Sequence, residues 1–288
     1  MSAAVTIPGA AAPARRATTA APAVDVRPAA RTRLRLGRPI KGSGLIGVGA
    51  LAAVWVAGSA TGFIDPRVLS APWTVVTTAG GLIADGRLQQ NLEVSLTRSA
   101  LGLLFGVVAG VVLALVAGLS RVGDALLDGP IQVKRAIPSL ALVPLLILWF
   151  GIGEEMKVIT IAIGVLLPVY VHTHNGLRSI DARFVELAET LALRRWQFVR
   201  TVVLPGALPG FLLGLRFGVT GSLLALVVVE QVNSTAGIGY MMELARSYGQ
   251  TDVIVVGLVV YGLLGYLADT AVRLLQRRAL TWRRTLAG

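Results

Sequence analysis

Long apolar blocks, rather than scattered apolar residues, limit what this chain can fold into. Segments 44–63, 96–120, 138–150, 158–172, 211–229 and 252–275 are almost free of charge in their interiors. A soluble core draws on apolar residues spaced along one helix face, whereas a bilayer demands them on every face. Crossing about 30 Å of hydrocarbon takes roughly 20 apolar residues. The segments at 138–150 and 158–172 fall short of that length, so their polar ends need shielding by other parts of the protein. Pro144 interrupts the first of these and Pro168 the second. A kinked helix buried among neighbours is the expectation for 138–150. Gly102, Gly106, Gly110 and Gly118 share the 96–120 segment at a spacing that lets a second helix approach closely. The expected fold class is an all-α membrane protein with about six transmembrane helices.

Composition agrees with this reading. Of 288 residues, 55% are hydrophobic and only 15% charged, where soluble domains carry about a quarter charged. Cysteine is absent and there are two histidines, which leaves no material for disulfides or a histidine metal cage. His172 and His174 lie two apart on a helix and face different ways. No Gly-x-x-x-x-Gly-Lys-Ser/Thr sequence occurs, so a P-loop ATPase is excluded. The formal charge of +12 does not mark a nucleic-acid binder, because the basic residues sit at the edges of the apolar segments.

That placement orients the chain. Arg15, Arg16, Arg27, Arg31, Arg33, Arg35, Arg38 and Lys41 precede the first segment. Arg121, Lys134, Arg135, Arg178, Arg183, Arg194, Arg195, Arg200 and the arginines from Arg273 to Arg284 fall on the same side when crossings are counted. The other side holds Arg67, Arg87, Lys157 and Arg246, with Arg98 at the mouth of the second segment. By the positive-inside rule both termini are cytoplasmic. Residues 1–42 lack apolar periodicity and are read as a disordered basic tail rather than a signal peptide. Residues 43–276 form the membrane domain, and 277–288 a short cytoplasmic tail. Between the first two segments, 71–93 reads as an interfacial helix on the outer face.

The same count places 182–210 in the cytoplasm. After a loop at 175–181, a helix begins near Ala182, with Phe184, Leu187, Ala188 and Leu191 in one apolar stripe. Glu186 and Glu189 lie in its first two turns. A second short helix runs over 195–203, and Pro205 and Pro209 are expected to end it. The product is a helix–turn–helix knob whose apolar face either packs on its own spans or awaits a partner.

This segment resembles the EAA loop of ATP-binding-cassette importer permeases. Glu186 and Ala188 match its opening, Ala192 stands where the motif has glycine, Val202 where it has isoleucine, and Leu204-Pro205 close it in register. Leu187 departs from alanine. The blocks Ile137-Pro138-Ser139-Leu140-Ala141 and Trp149-Phe150-Gly151-Ile152-Gly153 resemble the nitrate, sulfonate and taurine branch. So do Ser95-Leu96-Thr97-Arg98, Lys157, Glu230 and Gly237-Ile238-Gly239-Tyr240. The resemblance implies a type I importer permease in the bacterial plasma (inner) membrane, non-catalytic and without a cofactor of its own. It implies as partners a separate ATPase subunit, an extracytoplasmic substrate-binding protein and a second permease chain forming a homodimer. Glu186, Ala188, Glu189, Ala192, Leu204 and Pro205 inherit the ATPase-coupling role. Pro138, Ser139 and Glu230 are candidates for the translocation path. For Glu230 an interhelical structural role stays open beside that one; Arg216, about 21 Å away along the same helix, cannot be its partner. At Ala192 a helical or shallow turn is expected, since alanine reaches positive φ less cheaply than glycine. The solute class implied is a small anion such as nitrate, a sulfonate, taurine or bicarbonate. The competing class, a secondary ion-coupled transporter, calls for acidic mid-membrane sites and internal repeats, and neither is visible. An intramembrane enzyme would need a polar constellation inside the spans.

Overall fold

The computed structural model describes residues 43–281, so the tail at 1–42 and the last residues 282–288 lie outside the described residues. The chain divides after Gly47, and residues from Val48 onward form one compact unit. Every regular element among the described residues is helical: α1 (Ser43–Ala60), α2 (Pro72–Ala84), α3 (Arg87–Leu119), α4 (Arg121–Ala136), α5 (Val143–Phe150), α6 (Glu154–Arg178), α7 (Arg183–Thr190), α8 (Arg195–Phe198), α9 (Leu204–Asn233), α10 (Ile238–Ser247) and α11 (Thr251–Ala279). A 3₁₀ turn, Ser139–Leu142, precedes α5, and a π turn, Val199–Val203, joins α8 to α9. Four helices are long and apolar enough to span a bilayer: α3, α6, the continuous stretch Arg195–Val232 and α11. A fifth span results if α4 and Ser139–Phe150, bent by 92°, are taken together, and the apolar stretch Ile46–Ala60 is shorter.

Helix α6 is the centre of the bundle, gripped by α3 on one side and α9 on the other. Glycines make both contacts. A Cβ on Gly106 of α3 would lie 2.6 Å from the Ala162 carbonyl oxygen of α6, and one on Gly110 would lie 2.8 Å from that of Leu166. On the opposite face, a Cβ on Gly210 of α9 would lie 2.5 Å from the His172 carbonyl oxygen, with Gly214 at 3.0 Å from that of Pro168. Backbones this close exchange dispersion contacts that lipid tails cannot replace. Ile161, Val165 and Val169 of α6 fill the space between, packed against Ala225, Leu226 and Val229 of α9.

Helix α2 lies against α11 and α10. Val75 and Leu82 are buried with Met241, Met242, Val253 and Val256. Thr78 donates to Asp252 at 2.6 Å, and the Ser70 and Thr251 hydroxyls lie 2.6 Å apart. The single helix expected over 71–93 is therefore two, because Gly86 adopts φ +73° and turns the chain into α3 nine residues before Leu96. Further expectations are corrected. Helix α4 has no counterpart in the sequence reading; Ser120 caps it by accepting from the Gly123 amide, and Lys134 and Arg135 complement its C-terminal dipole. The segment ending at Phe150 is not buried: Val143 and Leu146 face inward, while Leu148, Trp149 and Phe150 are exposed. Pro144 starts α5 instead of kinking it. Residues 175–178 belong to α6, where Gly176 meets the backbone of α9 at Ala207. Residues 277–279, assigned to the C-terminal tail, continue α11.

One end of the bundle is fastened by a buried polar network. Glu230 of α9 has no exposed surface. Its carboxylate accepts from Ser95 Oγ at 2.8 and 2.9 Å, Arg98 Nη1 at 2.8 Å, the Gly239 amide at 2.9 Å and the Tyr261 hydroxyl at 3.0 Å. Arg98, only 4% exposed, also donates to the Ala236 carbonyl and, through Nε and Nη2, to both oxygens of Glu154, each at 2.6 Å. Lys157 donates to Glu154 at 2.7 Å. Two anions and two cations thus neutralise one another while tying α3, α6, α9, α10 and α11 together. Removing one partner of a buried pair typically costs about 3–5 kcal/mol, because the other is left charged and alone. Near the other end, Arg216 pairs with Asp269 of α11 at 2.6 Å.

The glycine contacts generate a prediction. Gly106→Ala must displace the backbone of α6 and is expected to destabilise by about 1–3 kcal/mol. Gly80→Ala, in open space on α2, should be neutral or stabilising by up to about 1 kcal/mol. Thermal unfolding of the two variants in one detergent checks the order; an unchanged midpoint for Gly106→Ala would contradict the packing.

Candidate functional site

The end of the bundle away from Glu230 carries α7, α8 and the π turn. Asp181 starts this knob by accepting from the Arg183 amide at 3.0 Å. Helix α7 then buries only Ala188. Phe184, Val185, Leu187 and Leu191 of the expected stripe and its flank are exposed, with Leu193, Trp196 and Leu204 beyond them; Leu191 is 61% and Trp196 67% exposed. Such a density of exposed apolar side chains beside carboxylates marks an interaction surface. Glu186 and Glu189 are exposed and form no ion pair among the described residues.

The turn after α7 departs from expectation. Ala192 takes φ +49°, the one non-glycine positive φ among the described residues. The Leu193 amide donates to the Ala188 carbonyl and the Ala192 amide to that of Glu189, both at 3.0 Å. This is a Schellman closure, with Ala192 in the left-handed position that glycine favours. The two satisfied carbonyls offset the left-handed cost of about 1–2 kcal/mol. The turn is therefore the sharp one that glycine would make.

Beyond it, Gln197 Oε1 accepts from the Arg194 amide at 3.0 Å and starts α8. Arg195 reaches the Leu119 carbonyl at the end of α3, at 3.2 Å. Pro205 and Pro209 do not end the helix. The π turn is wider than an α turn, which relaxes the clash between the Pro205 ring and the Thr201 carbonyl, whereas Pro209 sits inside α9. Helix continues from Arg195 through both prolines to Val232. A cavity of about 850 Å³ lies behind the knob, lined by Phe184 of α7, Thr201, Val202 and Pro205, and by His172 and Asn175 of α6.

The six coupling candidates thus share one knob: Glu186, Ala188 and Glu189 on α7, Ala192 at the turn, Leu204 and Pro205 where α9 begins. The three path candidates do not share a site. Glu230 belongs to the buried network, whereas Pro138 and Ser139 lie at the α4–α5 bend, where Lys134 Nζ donates to Ser139 Oγ at 2.6 Å. His172 stacks on Phe217 and His174 on Tyr170, with ring centroids 5.0 and 5.5 Å apart. Sequence reasoning missed Arg98 as the partner of Glu230. The available signal was the polar run Asn91, Ser95, Arg98, at the i, i+4, i+7 spacing of one helix face, continuous with Gly102 and Gly106.

Comparison with known proteins places these features. Residues 106–281 match the family described as "Binding-protein-dependent transport system inner membrane component". The chain is 44% identical over 232 residues to the putative aliphatic sulfonates transport permease protein SsuC of Escherichia coli, covering 81% of this chain and 88% of the relative. It is 39% identical over 245 residues to the Bacillus subtilis protein of that name, covering 85% and 89%. It is 34% identical over 258 residues to the taurine transport system permease protein TauC of E. coli, covering 87% and 94%. Among solved structures, the crystal structure of an amino acid ABC transporter with histidines superposes with a TM-score of 0.57 at 20% identity, covering 72% of this chain and 97% of that one, which supports the fold. The family match over residues 106–281, with relatives matched over most of their length, identifies the chain as a member of the binding-protein-dependent transport family, the multi-pass membrane permease of an ABC importer.

Proposed function

We propose that this permease imports aliphatic sulfonates, working as a dimer of identical chains with two ATPase subunits and an extracytoplasmic binding protein. The substrate class rests on the relatives, which are named for aliphatic sulfonates and taurine. The coupling role rests on one observation: α7 and α8 turn their apolar residues outward, leaving Phe184, Leu187, Leu191 and Trp196 uncovered beside the exposed carboxylates of Glu186 and Glu189. An ATPase groove of matching shape covers that face. ATP-driven closure of the ATPase pair draws the two knobs together, and the unbroken helix from α8 into α9 carries the displacement into the membrane. The knob and both termini face the cytoplasm, and the Glu230 end faces outward, in keeping with the Lys and Arg distribution.

Three outcomes test this reading. Glu186→Lys is expected to lose ATPase co-purification and sulfonate uptake while membrane abundance holds. Arg178→Glu should be milder, since Arg178 pairs with Asp124 at an exposed site where ion pairs contribute about 0–1 kcal/mol. A Glu186→Lys variant that keeps its ATPase and transports normally rules out coupling at that residue. For orientation, cysteine introduced at Glu155 should react with an impermeant thiol reagent in intact cells, and cysteine at Arg195 should not; reversed labelling inverts the topology. At the turn, Ala192→Gly should stabilise the knob by about 1 kcal/mol and retain uptake, measured as lower amide exchange over 186–197. Faster exchange would show that the left-handed turn is not the solution conformation.

A further inference from the structure

Beside the buried network lies a second cavity, of about 400 Å³, between the start of α3 and α10. It is walled by Arg87, Gln90, Asn91 and Val94 from α3, and by Thr235, Ala236, Tyr240, Met241 and Leu244. Its size is at the lower end of the range for small-molecule sites. The lining carries one cation and no acid. Asn91 is engaged in structure: its Nδ2 donates to the Arg87 carbonyl, and its Oδ1 accepts from the Gly237 amide at 2.8 Å. The other polar groups are free. The side chains of Arg87, Gln90, Thr235 and Tyr240 form no hydrogen bond or ion pair within the described residues. Arg87 also opens α3, where a cation opposes the helix dipole, so helix stability does not account for it. Val94, Met241 and Leu244 add an apolar wall. A charged donor, three neutral polar groups and a short apolar wall match a solute with an anionic head and an alkyl chain.

We infer that this cavity is a permease subsite for an alkanesulfonate, with Arg87 holding the sulfonate, Tyr240, Gln90 and Thr235 donating to its remaining oxygens, and Val94, Met241 and Leu244 taking the chain. The inference rests on the import reading above, which puts this end outward, where a binding protein releases its cargo. Asn91 and Ala236 join the cavity to the network around Glu230, so its two walls are held in fixed relation.

The test titrates butanesulfonate into the purified permease–ATPase complex without binding protein, in detergent, by calorimetry. Saturable binding is expected, weakened by about tenfold or more in Arg87→Gln, partly restored in Arg87→Lys, and weakened less in Tyr240→Phe. Butylammonium should not bind. Arg87 is exposed and has no partner among the described residues, so its replacement should leave the unfolding midpoint of the complex unchanged. Equal affinity in wild type and Arg87→Gln, or no binding by wild type, overturns the assignment. The same titration in phosphatidylcholine nanodiscs with and without phosphatidylglycerol separates a soluble sulfonate from a lipid headgroup; if phosphatidylglycerol abolishes the Arg87-dependent binding, the cavity belongs to lipid and the assignment falls. Butanesulfonate uptake by proteoliposomes containing ATPase and binding protein tests the import reading separately. Uptake without cavity binding removes the subsite alone, and cavity binding without uptake removes the import reading alone.

Discussion

In a bilayer the hydrophobic effect no longer drives one apolar helix against another, so what holds α6 between α3 and α9 is the distance at which their backbones meet. Gly106 and Gly110 on one side, Gly210 and Gly214 on the other, bring carbonyl oxygens within reach of where a Cβ would stand. Ile161, Val165 and Val169 then fill the remaining space at core density. Helices α4, α5, α10 and α11 pack against this trio. Helix α9 leads out of the knob at one end and supplies Glu230 at the other. Helix α3 supplies Arg98 and Ser95, and its last carbonyls receive Arg195 from the knob.

The two ends then follow opposite rules. At the Glu230 end, Glu230, Arg98 and Lys157 are taken out of water and compensated, with the exposed Glu154 closing the network, so that loops and short helices are fixed to the bundle. At the knob end, apolar surface is left in water uncompensated, and the backbone adopts a left-handed alanine to present it. In the coupling proposed above, rigidity at the Glu230 end lets motion imposed at the knob be transmitted rather than absorbed.

What could be read from the sequence followed from periodicity. Apolar block length located the apolar cores of α3, α6, α9 and α11 but not their ends. Helix α3 begins nine residues before the expected span and the helix containing α9 sixteen residues before, and four or five spans rather than six are long enough among the described residues. The glycine spacing in α3 pointed to its packed face. The EAA register placed Glu186 through Pro205 on a single knob. The misses share a cause: each depended on a hydrogen bond between residues far apart in sequence, or on local geometry that relaxes a rule. Arg98 looked like a charge at a membrane edge because its partners, Glu154 and Glu230, come from other helices. Pro205 and Pro209 looked like terminators because nothing in composition announces a π turn ahead of them. Ala192 looked unable to turn sharply because the Schellman bonds that stabilise it form only once α7 exists. Helix α4 was hidden by its charges, which are capping and dipole partners rather than loop residues.

The uninterrupted helix from Arg195 to Val232 has a mechanical consequence. Its 38 residues correspond to a rod of roughly 57 Å. Pivoted near its middle, where its own Gly210 and Gly214 meet α6, such a rod is a lever of nearly equal arms. A tilt of about 5° displaces each tip by roughly 2.5 Å, in opposite directions. That is close to the length of one hydrogen bond, so in the coupling proposed above the five hydrogen bonds on the Glu230 carboxylate are what such a displacement works against at the far tip. The gearing ratio of such a rod is near unity: a displacement at one tip reappears at the other neither amplified nor lost.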